Sequence, residues 1–288
     1  MAIVLGNNSY GKAETRLVRL RRDSAEHELT DLNVSVALGG DLAAAHESGD
    51  NSNVLPTDTQ KNTVYAFACS HGVDQIEEFG LLLARHFVDS QPSISVARVS
   101  IEEYGWRRLG PHSFVRTGEG TRTAAVTYDG ETAWVVSGVA GLVLLNSTDS
   151  EFHGFIRDEY TTLAETRDRI LATEVNAEWR HASADDDWRT SYEESRGELV
   201  RAFVRTYSRS LQQTLHAMGR AVLYGKRNIA EVRLSLPNKH HFLVDLEPFG
   251  LDNPGEVFYA ADRPYGLIEG TVLRDEAPPA GLAWGLPR

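Results

Sequence analysis

A polar cluster between two apolar runs is the part of the sequence with the clearest means for chemistry. Asn238, Lys239, His240 and His241 follow Pro237 directly and supply an amide, an amine and two imidazoles. Adjacent residues of a strand point to opposite faces, so the two histidines cannot readily share one metal ion. One imidazole that faces a pocket, while the other faces away, can pass a proton near neutral pH. The same residue types also collect in solvated turns, so the cluster fits either a site or an exposed turn.

The runs on either side of this cluster predict two strands of a half-buried sheet. Apolar residues alternate or cluster over residues 229–236 and again from residue 242. Because proline cannot donate a hydrogen bond to a sheet ladder, Pro237 predicts an edge, a bulge or the start of a strand. We therefore expect two separate strands with the polar cluster between them.

The rest of the chain reads as strands and helices in an order that repeats. In the first half we predict helices at about 57–70 and 73–89, and strands at 10–22, 25–38, 94–104, 112–116, 122–129 and 132–138. In the second half we predict helices within 189–224, broken near 208–210, and strands at 142–145, about 168–181, 229–236, 241–247, 256–260 and 266–274. Element order repeats from about residue 141 without any visible repeat of sequence. The tail after residue 275 is expected to be irregular.

Composition excludes several classes of protein. The 288 residues carry a formal charge of −12, which argues against general electrostatic binding of nucleic acid, although a few local cations can still hold a small anion. No apolar stretch is long enough to span a membrane, no signal sequence is visible, and residues 286–288 do not form a peroxisomal tripeptide. A cytoplasmic location is therefore expected. Cys69 is the sole cysteine and lies in an apolar, helix-like run, which predicts a buried, inert thiol and excludes an intrachain disulfide.

Several motifs, taken together, resemble those of the urate oxidases (uricases). They occur in family order over nearly the whole chain, at residues 10–12, 57–63, 112–116, 152–163, 168–170, 211–214, 235–242 (Ser-Leu-Pro-Asn-Lys-His-His-Phe) and 252–259 (Asp-Asn-Pro-Gly-Glu-Val-Phe-Tyr). Each motif alone is a weak signal, whereas the ordered set is very specific.

The resemblance implies an α+β fold of two tandem tunnelling-fold (T-fold) units, with residues 1–140 forming the first and 141–288 the second. Each unit of that family is an antiparallel sheet with two helices on one face. Two subunits close a barrel and two barrels stack, which implies a homotetramer with a central tunnel. Closure into a barrel also removes the exposed edges of a long sheet.

The resemblance also assigns a proton relay. The lysine, threonine and histidine that form it in the family match Lys12, Thr57 and His240. Read alone, Lys12 fits a solvated lysine at a strand start and Thr57 fits a helix cap. A desolvated amine beside a hydroxyl can relay protons, because burial lowers the pKa of lysine toward neutrality.

A further set of matching residues would hold the substrate. Arg169 and Gln212 correspond to the pincers on two edges of the purine ring, and Phe152 to the side chain that stacks on its face. Read alone, these three fit a surface arginine, a helical glutamine and a core phenylalanine. A guanidinium and a carboxamide nevertheless suit urate, which is flat, anionic and rich in oxygen.

The remaining assignments concern dioxygen and the walls of the site. Asn238, together with Thr57, matches the residues that hold dioxygen or a water above the ring. Three further positions, which contribute a backbone amide or an apolar wall, match Asp58, Leu163 and Leu211. The resemblance implies that first-half and second-half residues meet across a subunit interface, so that a monomer would be inactive.

The reaction implied is the oxidation of urate by O2 and water to 5-hydroxyisourate and H2O2, with no cofactor and no metal. The sequence has no Gly-x-Gly-x-x-Gly after a strand and no His-x-x-x-His pair, and the run of aspartates at 185–187 reads as a solvated break between elements. In this scheme the relay removes a second proton from urate, and the electron-rich dianion reduces O2. A peroxide adduct forms at the ring carbon, peroxide leaves, and water adds.

Two rival functions remain open. Other T-fold enzymes of pterin or purine chemistry, such as cyclohydrolases and pterin synthases, generally need zinc ligands at set spacings, and this chain has no such set. A non-catalytic purine-binding scaffold would need Arg169, Gln212 and Phe152 but no proton relay. Turnover by the metal-free protein separates all three possibilities.

Overall fold

A computed structural model describes residues 2–261 and 263–286 as one long antiparallel sheet with helices packed on one face. The strands are β1 (Tyr10–Arg21), β2 (Glu28–Gly40), β3 (Ile94–Glu103), β4 (Trp106–Gly110), β5 (Ser113–Arg116), β6 (Thr121–Tyr128), β7 (Ala133–Asn146), β8 (Leu171–His181), β9 (Ile229–Leu243), β10 (Phe258–Ala261) and β11 (Leu267–Leu273). The helices are α1 (Ala43–Glu47), α2 (Thr57–Ser70), α3 (Ile76–Ser90), α4 (Trp188–Arg205) and α5 (Leu211–Gly225), with a 3-10 turn at Glu247–Phe249.

Within the described residues, nine strands form the sheet in the order β1-β2-β3-β6-β7-β8-β9-β10, with β11 also pairing β9. The pairings are antiparallel throughout, while β4 and β5 form a separate hairpin. The sheet is open, with the twelve-residue β1 at one edge and β10 and β11 at the other. Long open edges present unpaired backbone groups and favour pairing with another chain.

Two hydrophobic cores lie under the helices. The first joins α2 and α3 to β2, β3 and β6, and the second joins α4 and α5 to β8, β9 and β11. Strand β7 contributes to both, since Val135 packs in the first core and Val139 in the second. It runs without a break through residue 140, with a register shift between Val139 and Leu142 where Gly141 adopts a φ of 70°. The division into two units at residue 140 stays a prediction.

Most predicted elements are present at the predicted positions. The helix expected at 57–70 is α2, and the expected break near 208–210 separates α4 from α5. Two short elements, α1 and β4, were not predicted, and the strands expected at 132–138 and 142–145 are one strand, β7. The two predicted strands are one because pairing with β6 and β8 extends β7 through Gly141, a residue that the local sequence pattern marks as a strand boundary.

The predicted break at the polar cluster is wrong, because β9 continues from Ile229 to Leu243 through Pro237. The sheet changes partners there instead: β11 pairs β9 up to Pro237, and β10 pairs it from His240. The proline carbonyl accepts a hydrogen bond from Thr173 Oγ1 at 2.9 Å, and the next amide, of Asn238, donates to the Gly266 carbonyl at 2.8 Å. Pro237, which has no backbone N–H to donate, therefore lies where β9 changes its pairing partner from β11 to β10, and the strand continues past it.

The prediction that Cys69 is a buried thiol is also wrong, since its side chain is exposed. The buried residues of α2 are Gln60, Val64 and Ala68, which recur every fourth position and form one narrow stripe. Cys69 lies one position beyond that stripe and so faces solvent. An apolar run identified the helix correctly but not the face that the cysteine occupies.

The aspartates at 185–187 are more than a solvated break. Asp186 forms an ion pair with buried His181, with 3.2 Å between Oδ2 and Nδ1. Hydrogen bonding to His181 and Ser191 and the charge of His181 outweigh the effect of burial, and hold the pKa of Asp186 below its usual value. Asp187 caps α4 by accepting a hydrogen bond from the Thr190 amide. The run therefore anchors the start of α4 to β8.

The C-terminal tail, residues 276–286, packs on the face of the sheet that carries no helices. It contains no helix or strand up to residue 286, as predicted, and residues 287 and 288 lie outside the described residues. Ala283 is fully buried against Ala125 and Val136. Arg98 Nη1 donates to the Ala283 carbonyl at 2.8 Å, and Arg180 Nη2 donates to the Pro278 carbonyl at 2.9 Å. None of the helices in the described part of the chain is long and apolar enough to cross a membrane.

Removing the tail after Asp275 is expected to lower the free energy of unfolding by about 2–4 kcal/mol. Buried Arg180 and half-buried Arg98 would lose carbonyl acceptors, and an unsatisfied buried group costs about 1–3 kcal/mol. Urea denaturation at fixed protein concentration measures the loss. Ile3→Ser, at a side chain that is 93% exposed, is the control and should leave the transition midpoint unchanged. A truncated chain with the midpoint of the full chain would contradict this role for the tail.

Candidate active site

A cavity of about 420 Å³ lies between the last part of β9 and the segment that connects β7 to β8. We call it the β9 pocket. Its lining includes five of the residues selected from the sequence, Phe152, Leu163, Arg169, Asn238 and His240. The connecting segment contributes the aromatic and cationic side chains, and β9 contributes the amide and the imidazole. Local motifs that are separated by about 70 residues in sequence therefore meet at one cavity.

Phe152 and Arg169 are held beside each other by backbone pairing within the connecting segment. Phe152 exchanges two backbone hydrogen bonds with Thr166, at 2.9 and 3.0 Å. The Phe152 ring stacks on Phe155, with 5.0 Å between centroids and 15° between planes. The guanidinium carbon of Arg169 lies 5.2 Å from the Phe152 ring centroid. A planar ligand can therefore contact an aromatic face and a forked cationic donor together.

Arg169 is a half-buried cation that has no anionic partner among the residues that the structure describes. Its backbone amide donates to the Ser150 carbonyl at 2.9 Å, and its Nε donates to Ser150 Oγ at 3.3 Å. Among the described residues, no carboxylate forms an ion pair with its guanidinium. Burial lowers the pKa of Arg169, but an arginine remains charged near neutral pH. Because desolvated charges are normally paired, this arrangement is typical of a receptor for an anion.

Asn238 and His240 occupy alternate positions of β9 and so lie on the same face of the strand. Asn238 pairs with Thr173 of β8, and His240 pairs with Ala261 of β10. The rings of His240 and Phe242, two residues further along, are 5.8 Å apart and inclined by 22°. Strand pairing on both sides therefore fixes the direction in which the amide and the imidazole project.

His241 also borders the β9 pocket, although it follows His240 directly on β9 and its side chain therefore leaves the opposite face of the strand. Its Nδ1 lies 3.0 Å from the Lys239 carbonyl, which occupies that nitrogen. Among the described residues, no group of three or more His, Cys, Asp or Glu side chains is arranged to hold a metal ion. Independence from metal stays a prediction that only a reaction can test.

The imidazole of His240 is suited to accept a proton. Burial is the main reason that its pKa lies below the usual 6.5, and the positive charge of Arg169 and nearby His241 lower it further. Both influences disfavour the imidazolium. The ring is therefore neutral at pH 7 and has a nitrogen available as an acceptor.

The lowered pKa of His240 predicts a specific dependence of stability on pH. As pH falls through 6.5 the unfolded chain binds a proton at this histidine while the folded chain does not, so stability is lost from pH 6.5 down to the folded pKa. In NMR titrations the imidazole midpoint should lie below 6.5. His240→Asn should lose less stability on acidification than the parent chain, whereas His216→Asn, at an exposed position of α5, should behave like the parent. A midpoint at or above 6.5 would contradict the desolvated position of the ring.

The first-half residues lie at the other end of the sheet. Lys12 is half-buried on β1, where it pairs with Val36 next to a bulge. Thr57 is the first residue of α2, but the cap position belongs to Pro56 and makes no side-chain hydrogen bond, so the helix-cap interpretation of Thr57 is wrong. Asp58 pairs with Lys61, whose hydrogen bond is the main reason that the pKa of Asp58 is lowered, and the charge of Lys12 contributes.

Gln212 and Leu211 are the first residues of α5 and do not line the β9 pocket. The helix is capped by Ser210, whose Oγ accepts from the Gln213 amide at 3.2 Å. Gln212 is exposed, whereas Leu211 is 2% exposed and packs in the second core. Their roles in binding stay predictions.

Some residues of the site were not selected from the sequence. Ser150 holds Arg169, Thr166 holds Phe152, and Phe258 lines the pocket. Phe258 belongs to the motif at 252–259, which was noted without a role for this residue. No sequence pattern indicates a role for Ser150 or Thr166, because the role of each depends on a contact that only the folded chain forms.

The chain is similar in sequence and in structure to known proteins. The family model described as Uricase matches residues 8–127 and 135–269. A uricase of Arthrobacter globiformis is 53% identical over 275 residues, which covers 95% of this chain and 91% of that protein. A uricase of Dictyostelium discoideum is 36% identical and covers 94% of this chain and 98% of its own. The crystal structure of uricase from Arthrobacter globiformis superimposes with a TM-score of 0.95 at 51% identity, covering 99% of both chains.

Proposed function

The chain belongs to the uricase family and is a urate oxidase, and from this premise we propose that it converts urate, O2 and H2O to 5-hydroxyisourate and H2O2 without a cofactor. Atoms balance in this reaction, since both oxygens of O2 leave as H2O2 and the oxygen that urate gains comes from water. Urate supplies both electrons. The protein then has to bind the anion, move protons and admit O2 and water to one face of the ring.

The observation that carries this proposal is the unpaired Arg169 beside the Phe152 ring and the neutral His240 in one pocket. Urate is a flat purine trione that is anionic at neutral pH. Its ring would stack on Phe152, and its oxygens and nitrogens would accept from the guanidinium of Arg169. Gln212 would hold the opposite edge, with Leu163, Leu211 and the Asp58 backbone completing the walls.

We assign the proton chemistry to Lys12, Thr57 and His240. Together they would take a second proton from bound urate, and the resulting dianion is a strong enough reductant to react with O2. A peroxide adduct forms at the ring carbon, peroxide leaves, and a water held near Thr57 and Asn238 adds. Positioning and electrostatic support are the contribution of the protein to these steps.

This assignment needs a second copy of the chain. Lys12 on β1 and His240 on β9 are six strand spacings apart, about 29 Å along the sheet at ~4.8 Å per spacing. A relay between them cannot form within one chain of this shape. A barrel closed by two copies would bring β1 of one chain to the β10–β11 edge of the other. We therefore propose active sites at subunit interfaces in a homotetramer of two stacked barrels, and a cytoplasmic location stays a prediction from the sequence.

The overall reaction can be tested with the purified protein. After dialysis against a strong chelator, urate is added in air, and loss of its near-ultraviolet band is followed together with peroxide. Equal, oxygen-dependent changes are the expected result. Urate binding without turnover would support the purine-binding scaffold, and activity that appears only after a metal is added would overturn the cofactor-free scheme.

The shared site predicts complementation between two nearly inactive variants. At a urate concentration near the parental KM, Lys12→Met and Arg169→Ala should each retain only a few per cent of the parental activity alone. In a mixed dimer one site carries both substitutions and the other carries neither, so co-expression should restore about a quarter of the parental activity when subunits pair at random. Activity is measured on the co-purified mixture, with the two variants purified separately as controls. No recovery, despite confirmed mixed assembly, would contradict a site built from two chains.

A further inference from the structure

Three buried residues with hydroxyl groups, joined partly through a backbone bridge, connect the pocket arginine to the start of α5. They are Ser150, Ser208 and Thr214, and each is 0% exposed. We propose that Ser150 is a positioning residue, which fixes the orientation of Arg169 and its separation from Gln212. The inference rests on the proposed function only in taking these two side chains as the groups that hold opposite edges of urate.

On the side of the pocket, Ser150 is the only described residue that accepts hydrogen bonds from Arg169. The Ser150 carbonyl accepts from the Arg169 amide at 2.9 Å, and its Oγ accepts from Nε at 3.3 Å. The first contact fixes the backbone of Arg169 and the second fixes the plane of the guanidinium. Nε is thus held by the protein, which leaves the two terminal nitrogens for a ligand.

On the side of α5, residues 149–151 pair with residue 208 as a short parallel bridge. The Glu151 amide donates to the Ser208 carbonyl at 2.8 Å, and the Ser208 amide donates to the Asp149 carbonyl at 2.9 Å. The segment that holds Arg169 is therefore pinned to the loop that leads into α5. A movement of this loop would therefore also displace Arg169.

Side-chain hydroxyls lock that loop to the helix. Thr214 Oγ1 donates to Ser208 Oγ at 2.8 Å, and Ser208 Oγ donates to the Ser210 carbonyl at 3.1 Å. Ser210 in turn caps α5 through the Gln213 amide. Thr214 Oγ1 also lies 3.3 Å from the Ser210 carbonyl, so Thr214 and Ser208 both direct their hydroxyl protons to acceptors at the start of α5. The network spans the distance from Arg169 to the first turn of α5, where Gln212 lies.

A purely structural role would have a different consequence from a positioning role. Buried serines that only satisfy hydrogen bonds affect stability and leave the affinity of the folded protein unchanged. A positioning residue changes affinity, because a misplaced guanidinium contacts the anion poorly in the folded protein too. The two roles separate in KM and in the dissociation constant for urate without O2.

The test compares Ser150→Ala with Ser195→Ala in the full-length protein. Ser195 is a matched control, since it is 0% exposed in α4 and its hydroxyl has no hydrogen-bond partner within residues 2–261 and 263–286. Ser150→Ala should raise KM, and the anaerobic dissociation constant for urate, roughly ten-fold, as expected for loss of a hydrogen bond to a charged group. Its kcat should fall less than about three-fold. Ser195→Ala should leave KM at the parental value.

A parental KM in Ser150→Ala, or an equal rise in Ser195→Ala, would overturn the inference. If Ser150→Ala does not fold, Thr214→Val decides the outcome, because it removes the hydroxyl donor to Ser208 and keeps the shape of the side chain. A raised KM in that variant supports the inference, and an unchanged KM overturns it. Failure of the proposed function is distinguishable, since the parental protein would then show no turnover of urate.

Discussion

Arg169→Ala is expected to weaken urate binding by about 2–5 kcal/mol, roughly 30-fold to 5,000-fold in the dissociation constant. Arg169 has no carboxylate partner among the described residues, so its charge is available to the ligand. Alanine removes the cation and both terminal donors from a pocket where water screens them poorly. Equilibrium titration with urate under nitrogen measures binding alone, since no turnover takes place without O2.

Arg167→Ala is the matched control for this experiment. Arg167 lies two residues away, is exposed, and contacts His153 at 3.4 Å rather than the β9 pocket. The Arg167→Ala substitution removes one positive charge from the same segment and should leave the dissociation constant for urate within about two-fold of the parental value. If both variants bound urate as tightly as the parental protein, the β9 pocket would not be the urate site.

Lys12→Met is expected to lower kcat by about 10²–10⁴-fold while the anaerobic dissociation constant for urate stays nearly unchanged. Methionine keeps the length and the apolar stem of the side chain but cannot carry a proton. Because Arg169 and Phe152 belong to the second half, loss of the amine should not disturb the contacts that hold the anion. The pair of measurements therefore separates proton transfer from binding.

Lys226→Met controls for the loss of a lysine. Lys226 forms an ion pair with Glu194 at 2.7 Å at the C-terminal end of α5 and does not line the β9 pocket. Its loss should change stability by less than about 1 kcal/mol and leave kcat unchanged. A Lys12 variant in which affinity falls as much as turnover would assign the amine to binding and remove it from the relay.

Local pattern was sufficient for most of the fold. A helix-start pattern at residues 56–58 predicted α2, and an apolar stripe at helical spacing predicted α3, which buries that stripe under the sheet. Local pattern failed where long-range pairing decides the outcome. β9 continues through Pro237 because β10 takes over from β11 at that point, and no feature of residues 229–243 announces the exchange.

Some residues of the candidate site could be predicted from the sequence and others could not. Asn238 and His240 belong to a polar cluster that stands out in the sequence, Arg169 was predicted from the resemblance to the uricases, and the β9 pocket brings the three together. In the proposed scheme Lys12 and Thr57 act with residues of another copy of the chain, and a single chain cannot show that arrangement. Ser150 escaped notice because its partner, Arg169, is nineteen residues away.

Strand β9 carries both the second core and the pocket in one unbroken register. Val232, Leu234 and Leu236 face the helices, and the pairing of β9 with β8 keeps one alignment from Arg180 opposite Glu231 to Ala172 opposite Lys239. Deleting one residue between positions 231 and 237 would turn Asn238 and His240 to the opposite face or push the core residues out of the core. We expect this stretch to tolerate substitutions during evolution but not insertions or deletions. Length variation within the lineage should therefore collect in the loops, and β9 should keep a constant number of residues.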